Sequence, residues 1–448
     1  MSIFRAYDIR GIYPKDLNEE VAEKIGKAFG TFNPGKIVVG MDARLSSPSL
    51  KEKLINGLLS TGCEITDVGM VTTPMLMFAV KHLEADGGVM VTASHNPKEY
   101  NGFKFFAKDA VPISYESGIN KIQEIFEKEF FKKGEGSLKK IDIFEDYSKF
   151  LIEKISFKVQ PTFNIVVDAG NGVAGLIYPK ILKEAGLQVH ELFCEPDGNF
   201  PNHEPNPSKE ENLVALKEKV KELGADFGFA YDGDGDRLVI VKKNGETIRS
   251  SIVFSIFIKD VLKEHPGAKI IYTPLDSKAI EDIIKENGGI PIISKVGHTY
   301  ITQKMLEEDA WLAGEISGHY YFKETYASDD ALFATLKFIE ILVNGEKSVE
   351  DYEREFPKYY SAVSESLRFP IKEDEKFPFI ERLKEEFKEK GFKIDTTDGV
   401  KVFFDYGWAL FRPSNTEAVI SASYEAYTKE GFEKMKEFVD EIIARIPR

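Results

Sequence analysis

Gly88-Val89-Met90-Val91-Thr92-Ala93-Ser94-His95-Asn96-Pro97 is an apolar, β-rich run that ends on a serine and is turned by an Asn-Pro pair. Asn101-Gly102 gives a second turn signal, and Phe103-Lys104-Phe105-Phe106 reads as another strand. The hydroxyl of Ser94 is therefore expected at a strand mouth, outside the packed core. A serine there serves as a nucleophile or phosphate carrier when its neighbours manage the charge. Taken alone, Ser-His-Asn-Pro is also an ordinary polar turn, and the rest of the chain has to separate the two readings.

The strand before Ser94 closes a pattern that begins upstream. Lys36-Ile37-Val38-Val39-Gly40 reads as a strand, followed by Asp42-Ala43-Arg44 and a helix begun by Ser47-Pro48. Glu64-Ile65-Thr66-Asp67-Val68 returns as a strand, and strand–helix–strand order implies parallel pairing. The pattern restarts at Asn164-Ile165-Val166-Val167-Asp168 and again at Lys269-Ile270-Ile271-Tyr272. Each unit opens strand–Asp–helix, at 37–42, 165–168 and 270–276, and each ends in a late strand that delivers a polar loop, at Ser94, Asp232 and Glu315. Units of roughly a hundred residues are too large for a solenoid array and suit stacked domains.

The last segment differs, with a helix over 379–390, a hairpin over 399–411 and a helix over 432–446. The fold class expected is α/β: three similar domains with mixed sheets (1–150, 151–250, 251–365) and a C-terminal α+β domain (366–448). Because such sheets bind ligands beyond the carboxyl ends of their strands, the loops are expected to meet in one central cleft. The loop over 196–207 is rich in Pro, Asn and Gly and reads as irregular and exposed.

A chain of 448 residues with 42% apolar and 30% charged residues is an ordinary globular protein too long for one core. Cys63 and Cys194 lie in apolar surroundings and cannot build a disulfide framework, as expected of a reducing cytoplasm. No signal-peptide layout opens the sequence and no apolar run approaches membrane-spanning length. The net charge of −15 argues against a nucleic-acid partner, so any anionic ligand must be met by locally clustered Arg, Lys and backbone N–H groups.

Those clusters are visible. In Asp232-Gly233-Asp234-Gly235-Asp236 three carboxylates alternate with glycine, which aims hard oxygen ligands at one centre and suits Mg²⁺. An EF-hand is excluded, because Arg237 stands where that loop needs glycine and Lys243 where it needs glutamate. Without a metal, three carboxylates this close repel one another. Arg412-Pro413-Ser414-Asn415-Thr416 offers a guanidinium, two hydroxyls, an amide and backbone N–H groups, a cradle for a phosphate dianion or a common turn. Gly314-Glu315-Ile316-Ser317-Gly318-His319 presents a carboxylate, a hydroxyl and an imidazole between glycines, suited to gripping sugar hydroxyls or to a plain loop.

Together and in this order, these four loops and the Tyr7-Asp8-Ile9-Arg10-Gly11 start resemble the α-D-phosphohexomutase family, in its phosphomannomutase/phosphoglucomutase branch. The resemblance covers essentially the whole chain. It implies that Ser94 is a phosphoserine whose phosphate also ligates the Mg²⁺ held by Asp232, Asp234 and Asp236. It assigns Glu315 and Ser317 to the sugar hydroxyls, and Arg412, Ser414, Asn415 and Thr416 to the phosphate that is not transferred. Tyr7, Arg10, Lys104, Arg237, His298 and His319 fall at positions that line the family's cleft.

Two features depart from or modulate that pattern. Some bacterial members carry a lysine where this chain reads Leu275-Asp276-Ser277, and Thr92 stands where the phosphoglucosamine branch more often has serine. The latter leans towards mannose or glucose.

The activity implied is reversible transfer of phosphate between the 1- and 6-positions of a hexose phosphate, with hexose 1,6-bisphosphate as intermediate and activator. Lys104, with Arg10 and His319 beside it, is the candidate for moving the hydroxyl proton or stabilising the oxyanion. Small-molecule sugar phosphates are the expected partners of a cytoplasmic monomer or small homo-oligomer, with no nucleic acid and no membrane. The alternatives are a phosphoglucosamine mutase, an aspartate-nucleophile phosphatase based on Asp232-Gly233-Asp234, and a sugar-phosphate-binding protein without catalysis.

Overall fold

A computed structural model describes residues 3–362, 367–414 and 418–446 of the chain. Its first three sheets share one wiring. In each, the opening strand (Lys36–Met41, Asn164–Asp168 or Lys269–Tyr272) lies between two parallel neighbours. One neighbour is the next strand in the chain. The other is the late strand Gly87–Val91, Phe227–Tyr231 or Leu312–Gly314. That late strand then pairs antiparallel with the strand after it, Tyr100–Ala107, Leu238–Lys242 or Tyr320–Phe322. The sheets are therefore mixed, and the functional loops are the turns where parallel pairing gives way to antiparallel. A loop there leaves the carboxyl edge of the sheet and returns to it at once, so its polar residues are held at the mouth rather than carried onto a helix.

The repeated aspartate has a mechanical role in each unit. Asp42 accepts the N–H of Arg44, Asp168 that of Gly170 and Asp276 that of Thr273. Each carboxylate thereby satisfies a backbone donor that a strand-to-helix turn leaves without a ladder partner. The sequence pattern also missed elements, among them the helix Thr73–His82, capped by Thr72 with Pro74 in its first turn, and the helix Ala331–Asn344. Both carry too many apolar residues to show a polar face, because each is buried on nearly all sides.

One apolar core runs through the first three units, from Val38 and Phe78 through Tyr178 and Phe229 to Phe257 and Phe338. The fourth unit has its own core, with Phe379, Leu383, Phe411 and Val439 between two helices and an antiparallel sheet. Polar bonds from it grip the third unit. Lys401 Nζ donates to Pro274 O at 2.8 Å, the Lys278 N–H to Glu425 Oε1 at 2.9 Å, and the Val296 N–H to Asp398 Oδ2 at 3.1 Å. Bonds of this kind exchange with water at little net cost, whereas parting an apolar core costs about 25 cal/mol for every Å² exposed. No helix among the described residues is long and apolar enough to cross a membrane.

The loop over 196–207 is irregular, as expected, but it is not exposed throughout. Gly198, Phe200, Pro205, Asn206 and Pro207 are buried, because the loop folds over the first unit and the aspartate turn instead of projecting into solvent.

Asp276, beside the third–fourth contact, gives a pH test. Burial pushes its carboxyl up to about 7 from 3.8, against the hydrogen bonds it accepts from Thr273. A raised folded pKa means that the folded chain holds a proton the unfolded chain has released. The associated stability is complete below about pH 4 and is lost as pH rises to about 7. Asp276→Asn is expected to abolish that decline. Urea titrations at about pH 4 and about pH 7 should show the variant's midpoint gaining on wild type as pH rises. A constant gap would contradict the buried carboxyl.

Candidate active site

Ser94 lies three residues beyond the strand Gly87–Val91 and is only 4% exposed, deeper than a strand-mouth position implies. Its φ of 48° is in the left-handed region, which costs a non-glycine residue roughly 1–3 kcal/mol and persists only where the surroundings enforce it. That backbone turns the hydroxyl towards the second unit, where Oγ donates to Asp232 Oδ2 at 2.8 Å. His95 Nδ1 is 3.2 Å from the same oxygen. Burial, then Arg237 and Arg10, hold the His95 imidazole well below its usual range, so it is neutral.

The aspartate turn wraps as its glycines allow. A Cβ on Gly233 would stand 2.5 Å from Ser94 O, and Gly235 has a φ of 76°. Asp232 Oδ1 accepts the N–H groups of Gly235, Asp236 and Arg237, which fixes the turn. Asp234 Oδ2 accepts from Thr73 Oγ1 at 2.6 Å and from Lys104 Nζ at 2.7 Å, and Lys104 Nζ also donates to Asp236 Oδ2 at 2.6 Å. His319 Nε2 is 3.2 Å from Asp236 Oδ1, and its Nδ1 is 2.8 Å from Ser317 Oγ and 3.2 Å from Glu315 Oε2. The other Glu315 oxygen accepts the Gly297 N–H. One polar network thus joins the polar loops of all three units.

Its electrostatics follow from burial. Asp232, fully enclosed and facing Asp236 and Asp234, has its carboxyl held well above the usual range. For Asp236 the burial penalty is outweighed by Lys104 and His319, which pull its carboxyl well below that range. Lys104 and His319 gain correspondingly: despite burial, the carboxylates raise the Lys104 ammonium and push the His319 imidazole up to about 10. One oxygen from each of the three aspartates lies within 4.8 Å of the others, and Asp234 Oδ1 is buried without a hydrogen-bond partner. Clustered carboxylates with an unsatisfied buried oxygen are the donor set of a hard divalent cation, so the site fits such a metal.

In front of this network lies a cleft of about 600 Å³. Tyr7, Arg10, Ser94, Lys104, Arg237, His298 and His319 line it. Arg10 donates to Asp8 at 2.5 Å and to Asn96 Oδ1 at 2.7 Å, and Tyr7 meets His298 edge to face at 5.8 Å. Arg412 and Ser414 do not contribute to the lining, and Arg412 Nη2 is paired with Asp398 Oδ2 at 2.9 Å. Asn415 and Thr416 lie outside the described residues.

The families to which this sequence matches are those of phosphoglucomutase/phosphomannomutase: alpha/beta/alpha domain I over residues 1–133, domain II over 145–245, domain III over 249–360 and the C-terminal domain over 367–442. The chain belongs to the phosphoglucomutase/phosphomannomutase family. A phosphomannomutase/phosphoglucomutase of Pseudomonas aeruginosa is 41% identical over 440 residues, which cover 97% of this chain and 94% of the relative. A phosphoglucomutase/phosphomannomutase of Thermococcus kodakarensis is 37% identical over 454 residues, covering 98% and 97%. The crystal structure of a phosphoglucomutase/phosphomannomutase family protein from Burkholderia thailandensis superposes with a TM-score of 0.91 at 35% identity, covering 98% of this chain and 96% of that one.

For a phosphoglucomutase/phosphomannomutase family member, the cleft also holds residues that reading the sequence missed. Arg5 and Arg368 bring guanidinium groups from opposite ends of the chain, and Lys209 brings an ammonium from the second unit. The proline-rich character of 196–207 signalled an irregular segment but not its destination, and nothing local to Arg368 marked it. With Arg10, Lys104 and Arg237, these make six arginines and lysines against Asp8 and Glu204 in the lining of a protein whose net charge is −15. A field of that sign concentrates an anionic substrate.

Proposed function

We propose that the chain interconverts hexose 1-phosphate and hexose 6-phosphate, with mannose or glucose as the sugar, through phospho-Ser94 and a hexose 1,6-bisphosphate. The observation that carries this reading is the Ser94 hydroxyl 2.8 Å from Asp232, within a carboxylate triplet that Lys104 bridges. Asp232, Asp234 and Asp236 would hold Mg²⁺, which when bound supplies Lewis-acid stabilisation of charge on the transferring phosphate. In the first half-reaction the Oγ–P bond of phospho-Ser94 breaks as a bond forms from phosphorus to the oxygen of the free sugar hydroxyl, whose proton ends on Ser94 Oγ. After the bisphosphate turns over, its other phosphate returns to Oγ.

The chain's own groups divide the remaining work. Lys104, kept as an ammonium between two carboxylates, suits stabilising the oxyanion better than accepting a proton. His319 lines the cleft with Nε2 against Asp236 Oδ1 and is a candidate for moving a proton there. His95 Nδ1, 3.2 Å from Oγ, is a second neighbour of the oxygen to which phosphate returns, while the proton of that oxygen is directed at Asp232. The fourth unit grips its neighbour by polar bonds, which supports a swing that releases product.

Parallel assays with glucose, mannose and glucosamine 1-phosphates, Mg²⁺ and a trace of hexose 1,6-bisphosphate test the function. Isomerisation of the first two in preference to the third is expected. Binding without isomerisation would remove the enzyme reading, and phosphate found on Asp232 instead of Ser94 would favour the phosphatase.

Arg412 tests the phosphate cradle. Asp398 pairs with its guanidinium and also accepts the Val296 N–H, so a substrate phosphate would compete with Asp398 for the guanidinium. Charge-assisted hydrogen bonds contribute about 1.5–3 kcal/mol, so Arg412→Ala should raise KM roughly 10–100-fold. The rise should be alike for hexose 1- and 6-phosphates, because one cradle serves both poses. An effect on only one of them would contradict the shared cradle.

A further inference from the structure

Behind the carrier loop lies a second charged centre that does not line the cleft. Arg44 is 1% exposed, and all five of its guanidinium N–H groups meet acceptors. Nε donates to Asp42 Oδ2 at 3.0 Å. Nη1 donates to Pro97 O at 2.7 Å and Tyr100 O at 3.1 Å, and Nη2 to Ser94 O at 2.8 Å and Asn96 O at 2.7 Å. The ring of Phe200, from the second unit, covers the guanidinium at 5.2 Å. Ser94, Asn96, Pro97 and Tyr100 line the cleft and Arg44 does not, so the cation holds the loop from its far side.

The amide end of Ser94 is tied to the same centre. Its N–H donates to Thr92 Oγ1 at 2.8 Å, and that hydroxyl donates to Asp42 Oδ2 at 2.8 Å. Asp42 is in turn held by Ser47 Oγ at 2.6 Å and by the Arg44 N–H at 3.0 Å. Ser94 is therefore clamped through both its N–H and its C=O onto one buried ion pair, which accounts for a serine kept at a φ of 48°. The arrangement also has an electrostatic consequence. Four carbonyl dipoles end on a cation behind the loop, so their negative ends are turned away from the hydroxyl that has to carry a phosphate dianion.

We propose that Arg44 is the positioning residue of the phosphoryl-carrier loop, setting the aim of the Ser94 oxygen through a planar fork onto the carbonyls of Ser94, Asn96, Pro97 and Tyr100. This rests on Ser94 being the carrier. Lysine cannot replace the fork, since its three donors radiate from one atom and cannot serve four acceptors. Arg44 touches no substrate, so its loss lowers kcat while leaving KM in place.

The test uses the full chain with Mg²⁺ and glucose 1,6-bisphosphate, comparing wild type, Arg44→Lys and Thr92→Val. Mass spectrometry counts phospho-Ser94, so that kcat is expressed per phosphorylated enzyme. Arg44→Lys should lower that kcat about 100-fold, the scale of a misaimed reacting group, with KM for hexose phosphate within about twofold of wild type. Thr92→Val, nearly isosteric, cuts the amide tether together with the Thr92 bond to Asp42, leaves the Arg44 fork in place, and should lower it about tenfold. Phosphorus NMR should show the phosphoserine resonance shifted or broadened in both. Unchanged kcat per phosphorylated enzyme in the folded variants would overturn the assignment, even where the yield of folded protein falls. Should Arg44→Lys not fold, Thr92→Val alone decides by the same criterion. Wild-type enzyme that turns over with no phosphate on Ser94 would instead remove the carrier reading on which the proposal stands.

Discussion

Ser94→Ala is expected to lower turnover by roughly 10⁴-fold or more while leaving hexose phosphate binding within about threefold of wild type. The substitution removes one oxygen and little else. Ser94 keeps its loop through backbone groups, the N–H on Thr92 and the C=O on Arg44, and neither bond involves the hydroxyl. The hydroxyl's donation to Asp232 disappears, but the other oxygen of that carboxylate still caps the turn through the N–H groups of Gly235, Asp236 and Arg237. The cations that line the cleft are untouched, so binding should persist. Titration calorimetry with hexose phosphate, a coupled rate assay and mass spectrometry for covalent phosphate together test this. Near wild-type turnover in the alanine variant would take the nucleophile away from Ser94.

Whatever depends on local pattern was legible in the sequence. The strand–Asp–helix openings, the Asp-Gly-Asp-Gly-Asp turn and the serine loop each carry their geometry in a few adjacent residues. Gly235 takes a positive φ of 76°, which the Asp-Gly alternation lets one infer, whereas Gly233 is required because the backbone passes Ser94 O, which alternation does not show. What lay beyond the sequence was proximity between segments far apart in the chain. Lys104 reads from the sequence as a candidate for moving the hydroxyl proton or stabilising the oxyanion, but nothing near it shows that it bridges Asp234 and Asp236, some 130 residues on. Nothing beside Arg44 marks its role, since the four carbonyls it serves belong to a loop fifty residues away whose own sequence gives no sign of needing a cation. The reading of 196–207 as exposed held only in part, for the same reason. Loop composition reports backbone irregularity, and burial depends on which surface the loop meets.

The second large effect is expected from Asp232→Asn, and it has opposite signs for activity and stability. Asn is nearly isosteric. Its Oδ1 can still accept the turn's N–H groups, and its amide can donate to Ser94 Oγ where the carboxylate accepted. What changes is charge. In the metal-free protein burial, and then Asp236 and Asp234, oppose the Asp232 carboxylate, while Arg237, Lys104, the turn's N–H groups and the Ser94 hydroxyl favour it. Removing that charge relieves repulsion, so in chelator the variant should melt above wild type, as expected where a site is built at the expense of stability. With Mg²⁺ the order should reverse. A ligand at about a hundred times its Kd stabilises by about 2.7 kcal/mol, and a site short of one carboxylate should lose most of that shift. Turnover should fall on the order of 10³-fold at ordinary Mg²⁺, because several kcal/mol of charge stabilisation are lost and each 1.36 kcal/mol is about tenfold in rate. Melting curves in chelator and across a Mg²⁺ titration, run beside the rate assay, read both signs. A variant that Mg²⁺ activates as it does wild type would show that Asp232 is no part of a metal site. One that melts below wild type in chelator would show that the buried carboxylate is structurally favoured rather than held for the chemistry.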